Sequence, residues 1–106
     1  MIRQIAFAIA AIGLAQVSRA YEVVQARVTI VEGSYMPSQV FFQADIGSTS
    51  CPANTWLRWF NSANVDSNKA IFGLLLAAVN SGNRIQYFIN NGDTTCQVQF
   101  LYALPP

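Results

Sequence analysis

The chain contains no histidine. That single absence removes the commonest general base and the commonest metal ligand together. Charge is scarce as well, with six basic and five acidic residues among 106. No basic stripe is present to neutralise phosphates, so nucleic acid is not an expected partner. No polybasic cluster points to anionic lipid. The sequence also has no Gly-rich phosphate loop, no EF-hand spacing and no nucleophile elbow. Its carboxylates are spread out and none forms a close pair in sequence. A glycosidase-type dyad would need two of them, such as Glu32 and Asp45, set across a cleft. No metal, no cofactor and no catalytic residue is therefore expected, and the chain reads as a non-enzyme.

Apolar residues are plentiful, at 53% of the chain. The run from Ile5 to Val17 is interrupted only by Gly13 and Gln16, and Arg3 precedes it. It is shorter than the roughly 20 residues that span a bilayer as a helix. With Ser18-Arg19-Ala20 after it, residues 1–20 have the charged, apolar and small-residue order of a cleaved secretion signal. The competing reading is an uncleaved anchor or a buried helix. Cleavage after Ala20 leaves 21–106 as a single domain without a membrane span, secreted or periplasmic. Four basic residues (Arg27, Arg58, Lys69, Arg84) then face five acidic ones (Glu22, Glu32, Asp45, Asp66, Asp93), close to neutral.

A domain of this size is marginal on core burial alone. Its two cysteines, Cys51 and Cys96, permit only one intrachain pairing, and export implies an oxidising compartment. A disulfide is expected, with two free buried thiols as the alternative.

Alternation marks five short strands. Val24, Ala26, Val28 and Ile30 share one face, as do Val40, Phe42, Ala44 and Ile46. Trp56 to Phe60 makes the third strand. Ile85, Tyr87 and Ile89 form the inward side of the fourth. Cys96, Val98, Phe100, Tyr102 and Leu104 do so in the fifth, with the hairpin turn Asn90-Asn91-Gly92-Asp93 between these last two. A helix is predicted over 67–80, capped by Asp66 or Ser67 and ended by Gly82. Its expected inner face is Ala70, Ile71, Leu74, Leu75 and Ala78. The resulting order, β-β-β-α-β-β, suits a small Greek-key barrel or a five-stranded sheet with a helix packed on it.

Two surfaces stand out. With Leu57 and Trp59 inward, Trp56, Arg58 and Phe60 share the opposite face. Likewise Arg84, Gln86 and Phe88 oppose Ile85, Tyr87 and Ile89. Aromatic residues and arginine are enriched at binding interfaces. Beside uncharged Gln, Asn, Ser and Thr they suit a glycan or a protein partner, or else they fill a second core layer. The helix is apolar nearly all round, which asks for burial on more than one side. Phe72, Gly73 and Leu76 are its surplus, to be covered by another copy of the chain or by a loop.

The segment Asp66-Ser67-Asn68-Lys69-Ala70, then Leu74-Leu75, then Ser81-Gly82 and a strand, resembles a helix-Gly-strand block of small exported bacterial proteins. It also resembles that block in the B subunits of subtilase-type and pertussis-like AB5 toxins. The resemblance covers roughly the C-terminal half of residues 21–106. It implies an OB fold, a homo-oligomer whose helices line a central pore, and binding of cell-surface glycans. No sugar-contacting residue carries over, and the cysteine pattern here is simpler. The leading expectation is an exported, oligomeric binding module for a glycan or a protein. The alternative is a structural or accessory protein of the cell envelope with no small ligand.

Overall fold

The computed structural model describes residues 20–106. The expected leader, residues 1–20, falls outside that range except for Ala20. Five strands and one helix follow: β1 (Tyr21–Glu32), β2 (Gln39–Ala44), β3 (Leu57–Phe60), α1 (Val65–Ser81), β4 (Arg84–Asn90) and β5 (Val98–Ala103). The strands form one antiparallel sheet in the order β3-β2-β1-β4-β5. Its two outer strands meet at one end only, where a parallel bridge joins Arg58 to Gln97 and the Arg58 amide donates to the Cys96 carbonyl at 3.0 Å.

One sheet face and α1 enclose the core. Val24, Ala26 and Val28 from β1, Val40, Phe42 and Ala44 from β2, and Ile85, Tyr87 and Ile89 from β4 are all buried, as alternation requires. Leu57 is buried and Trp59 packs against the same cluster. The Tyr87 hydroxyl donates to the Ile46 carbonyl at 3.1 Å. Burial, with Asp45 and Glu22 adding to it, pushes this phenol up to about 12, so it remains a neutral donor.

Two bulges break the simple period. The β1–β2 register shifts between Val28 and Ile30, which leaves Thr29 as the extra residue. Past that point the phase reverses. Ile30, expected inward, is 46% exposed, while Val31 turns to the core. In β5 the pairing of Phe88 with Phe100 and of Ile89 with Val98 leaves Gln99 extra. Val98 and Leu101 are consequently the inward residues, and Phe100 and Tyr102 face out. Phe100 and Tyr102, expected inward, are corrected accordingly, while Leu104 lies just past the strand and is half-buried. A bulge re-aims every side chain beyond it because it inserts one residue into a period of two.

The helix starts and turns differently from expectation. Its cap is Asn64, whose side chain accepts from the Ser67 amide at 3.1 Å, and not Asp66 or Ser67. Asn61 accepts from the amides of Ala63 and Asn64, which fixes the approach to that cap. Gly82 ends the helix at φ 75°, as predicted. The inner face is Asn68, Leu75 and Ala78, with Ile71, Phe72, Leu74 and Val79 packed beside them; Ala70, expected inward, is exposed.

Asn68 explains this rotation. It is 1% exposed, and its amide donates to the carbonyls of Pro37 and Ser38 at 3.0 Å and of Asn61 at 3.1 Å. Two chain segments, the Pro37–Ser38 turn and the Asn61 loop, are thus tied to the first turns of α1. Phe72, one turn on, lies over Gly33, where a Cβ would stand 2.9 Å from the ring. We predict that Asn68→Ala destabilises the fold by about 2–3 kcal/mol in chemical denaturation, the range for a buried hydrogen-bond hub. Asn68→Asp should cost more, because a carboxylate offers no donor to those carbonyls and is itself buried.

Candidate functional site

The outer face of the sheet carries two separate clusters of rings. The first lies on β2 and β3. Phe41 meets Tyr35 edge-on at 5.5 Å and Trp56 at 6.5 Å between ring centroids. Tyr35 and Trp56 are 52% and 44% exposed, so the cluster presents open ring surface. With Glu32 these residues line a shallow concavity of about 260 Å³. Local sequence puts them there. Gly33 to Ser38 turns the chain, the Met36 amide and the Ser38 amide donating back to the Gly33 and Tyr35 carbonyls. Glu32, Phe41 and Arg58 are then cross-strand partners in one row over β1, β2 and β3.

Arg58 closes this row. Its Nη2 donates to Gln97 Oε1 at 3.2 Å, and Gln97 Nε2 reaches the Phe60 carbonyl at 3.3 Å. Its Nε is buried without a hydrogen-bond partner. Glu32 accepts from the Ser34 hydroxyl at 3.2 Å and is half-buried. The expected set of Trp56, Arg58 and Phe60 thus shares one face, with Trp56 and Phe60 exposed and Arg58 half-buried. Tyr35, Phe41 and Glu32 join Trp56 there without having been singled out from the sequence. Phe41 was legible as outward-facing; Tyr35 sits in a loop that has no period to read.

The second cluster spans β1, β4 and β5. Phe88 meets Tyr21 and Phe100 edge-on, each at 5.8 Å, and Tyr102 at 5.6 Å. Val23 pairs across from Phe88, and Gln25 donates to Gln86 at 2.9 Å in the next row. Of the expected set Arg84, Gln86 and Phe88, all three point outward, but on β4, away from Trp56. Tyr21, Val23, Phe100 and Tyr102 were missed, the last two because the Gln99 bulge hides their phase. On α1, Phe72 is half-buried against Gly33, Gly73 has open space around it, and Leu76 is 38% exposed.

The other polar groups work on the frame. Cys51 and Cys96 are joined in a disulfide, with 5.8 Å between Cα atoms. No helix among the described residues is long and apolar enough to cross a membrane. The disulfide is compatible with an extracellular or periplasmic setting. Among the described residues no group of three potential metal ligands occurs. Asp93 accepts from the Thr95 hydroxyl and from the amides of Thr95 and Gln97. The Thr95 hydroxyl bond is the largest cause holding this carboxyl below its usual range.

Glu22 is the stronger case. It accepts from the Gly92 amide at 2.9 Å, the Ser50 amide at 3.0 Å and the Ser50 hydroxyl at 2.6 Å. The Gly92 amide leads, with Ser48 and Ser50, in lowering it from 4.5 to about 2. Both carboxylates are therefore held ionised, opposite to the raised value a general acid needs.

Comparison of the chain with protein-family models, with curated proteins and with solved structures finds no match in any of the three.

The Glu22 geometry sets an acid dependence. Its folded value lies below its unfolded one, so its stabilisation is complete above about pH 4.5 and fades as pH falls toward 2. Glu22→Gln should lower stability at neutral pH by about 1–2 kcal/mol, allowing for solvent screening. Urea titrations of both proteins should converge near pH 2, where the wild-type carboxyl is itself being protonated.

Proposed function

We propose that this chain is an exported, non-catalytic binding module on an OB-like frame, and that it takes a glycan on the Tyr35–Phe41–Trp56 concavity. The observation that carries the proposal is the open ring surface of Tyr35 and Trp56 beside a carboxylate. Small-ligand sites are typically concave and largely apolar, with a few fixed polar groups. A pyranose offers a C–H-rich face to a ring and hydroxyls around its rim. Glu32 supplies an acceptor for those hydroxyls.

The frame supports the location. An OB fold is a five-stranded, partly open Greek-key barrel that binds oligosaccharides and oligonucleotides on strands 2 and 3 and the loop before them. Here the β3–β5 parallel bridge brings the sheet edges together, and the concavity is built from the end of β1, the following loop, β2 and the residue before β3. Near-neutral charge favours the sugar over the polyanion. The disulfide supports the exported setting, and it leaves no free thiol for nucleophilic chemistry.

A glycan array on the native protein should give a positive signal that Trp56→Ala and Glu32→Gln each weaken at least tenfold. Thermal unfolding of both variants should stay close to wild type, since neither side chain is in the core. A protein that binds no glycan, or one whose binding survives Trp56→Ala, would refute this assignment.

A further inference from the structure

The concavity on β2 and β3 is lined by three rings and one carboxylate, Tyr35, Phe41, Trp56 and Glu32, and Glu32 is the only charged residue in that lining. An aromatic ring has a negative face, and a cation within about 6 Å of its centre is attracted to it. The rings stand as walls and not as a platform. Phe41 meets Tyr35 at 71° and Trp56 at 85° between ring planes. A pyranose lies flat on one ring at a time, whereas a compact ammonium group touches several walls of such a corner at once. The hollow holds about 260 Å³, just under the roughly 300–1,000 Å³ of whole small-molecule sites. It therefore grips one end of a ligand and not its length.

The charge of Glu32 is not consumed by the frame. The cation in its row, Arg58, lies two strands away with Phe41 between them. Arg58 reaches in the other direction, donating from Nη2 to Gln97 on the β5 side of β3. Among the described residues the side-chain donor to Glu32 is the neutral Ser34 hydroxyl at 3.2 Å. Glu22 and Asp93 mark the contrast. Glu22 accepts from Gly92 and twice from Ser50, and Asp93 accepts twice from Thr95 and once from Gln97, so both are engaged in holding the fold. Glu32 sits half-buried at the rim of the rings with its negative charge left for a ligand.

We propose that the glycan taken here is a cationic one, an amino sugar whose nitrogen is unacetylated, with its ammonium seated among Tyr35, Phe41 and Trp56 and Glu32 as the counter-charge. This preference rests on the glycan assignment and narrows it to one class of sugar. Charge complementarity is what selects the occupant. An ammonium entering the hollow loses part of its hydration, and a charge-assisted hydrogen bond to Glu32 with the ring faces around it offsets that loss. Acetylation of the same nitrogen removes the positive charge, and with it both attractions. A sugar acid would bring a second carboxylate against Glu32, and like charges repel it from the site.

Calorimetry of the native protein at pH 6 compares a glucosamine tetramer, its amines protonated, with the fully N-acetylated tetramer. The cationic tetramer should bind at least tenfold tighter. Glu32→Gln should reduce that margin below threefold, and Trp56→Ala should weaken both ligands. Asp66→Asn, which removes a carboxylate from the exposed start of α1, should leave the margin intact. Choline should displace the cationic tetramer at concentrations where 3,3-dimethylbutanol, its uncharged isostere, does not, which separates charge from shape. Equal affinity for the two tetramers, both dependent on Trp56, overturns the cationic preference and leaves the glycan assignment standing. A margin that falls as far in Asp66→Asn as in Glu32→Gln overturns it as unspecific attraction, and so does choline that displaces no better than its isostere. Binding of neither tetramer overturns it as well, and the glycan array then judges the broader assignment alone.

Discussion

Cys96 is the point on which the two edges of the sheet converge. Its carbonyl accepts from the Arg58 amide, its side chain is bonded to Cys51, and the next residue bridges to Arg58. It is also held at φ 60°, in the left-handed region that non-glycine residues enter rarely. The chain accepts that conformation because it turns the strand from the hairpin toward β3. Closing a loop of 45 residues contributes roughly 4 kcal/mol in the chain-entropy model. In a domain this small that contribution is a large share of the net stability. The Glu22 carboxylate reinforces the same end by joining the start of β1 to the Cys51 loop and to the hairpin at Gly92. Gly47 belongs there too, since any Cβ would stand 2.2 Å from the backbone of Pro52 and Ala53.

This convergence positions the candidate site. Arg58 is held on both sides of its peptide, by Phe41 as a β2 partner and by Cys96 and Gln97 across the edge. Trp56 precedes it by two residues and therefore projects from the same face. The glycan proposal rests on a short, doubly anchored strand and not on a free loop. Only Tyr35 is carried by a turn, and that turn is itself held by the Asn68 amide at Pro37 and Ser38. The fold thus supports the concavity from two directions.

Much of this was legible in the sequence because it depends on local chemistry. Strand alternation in β4 and in β2 as far as Ala44, the left-handed Gly82, the Asn90–Asp93 turn and the pairing of the only two cysteines follow from residue type and spacing, whereas Ile46, expected to share the β2 inner face, lies past the strand and is exposed. The misreadings arise where a distant partner decides. Nothing in Arg27-Val28-Thr29-Ile30 shows that β2 will pair with a shift, yet that shift exposes Ile30. Nothing in Val98-Gln99-Phe100 marks the bulge that turns Phe100 and Tyr102 outward. The helix face was misplaced by about one position because hydrophobicity alone ranks Ala70 above Asn68. Asn68 is inside because three carbonyls of other segments need its donors, a fact no periodicity contains. Of the outward-facing residues in the two clusters, those on β3 and β4 followed from alternation, whereas Tyr35, Tyr21 and the β5 rings required the folded register.

The abundance of apolar residues in this chain acquires a physical explanation from those bulges. A single sheet with one helix has one core, and all five strands and α1 contribute to it. Of what remains, the exposed rings gather mainly in two clusters on the outer face, while Ile30, Ile46, Phe60, Val65 and Leu76 are exposed elsewhere. Isolated exposed apolar residues are ordinary, but a contiguous ring patch with no charge within it marks an interaction surface. The two clusters differ in kind. Tyr35, Phe41 and Trp56 surround a hollow with a carboxylate at its rim, which suits a small polar ligand. Tyr21, Phe88, Phe100 and Tyr102 pack mostly edge-on against one another across β1, β4 and β5. The two clusters occupy different strands, so neither covers the other.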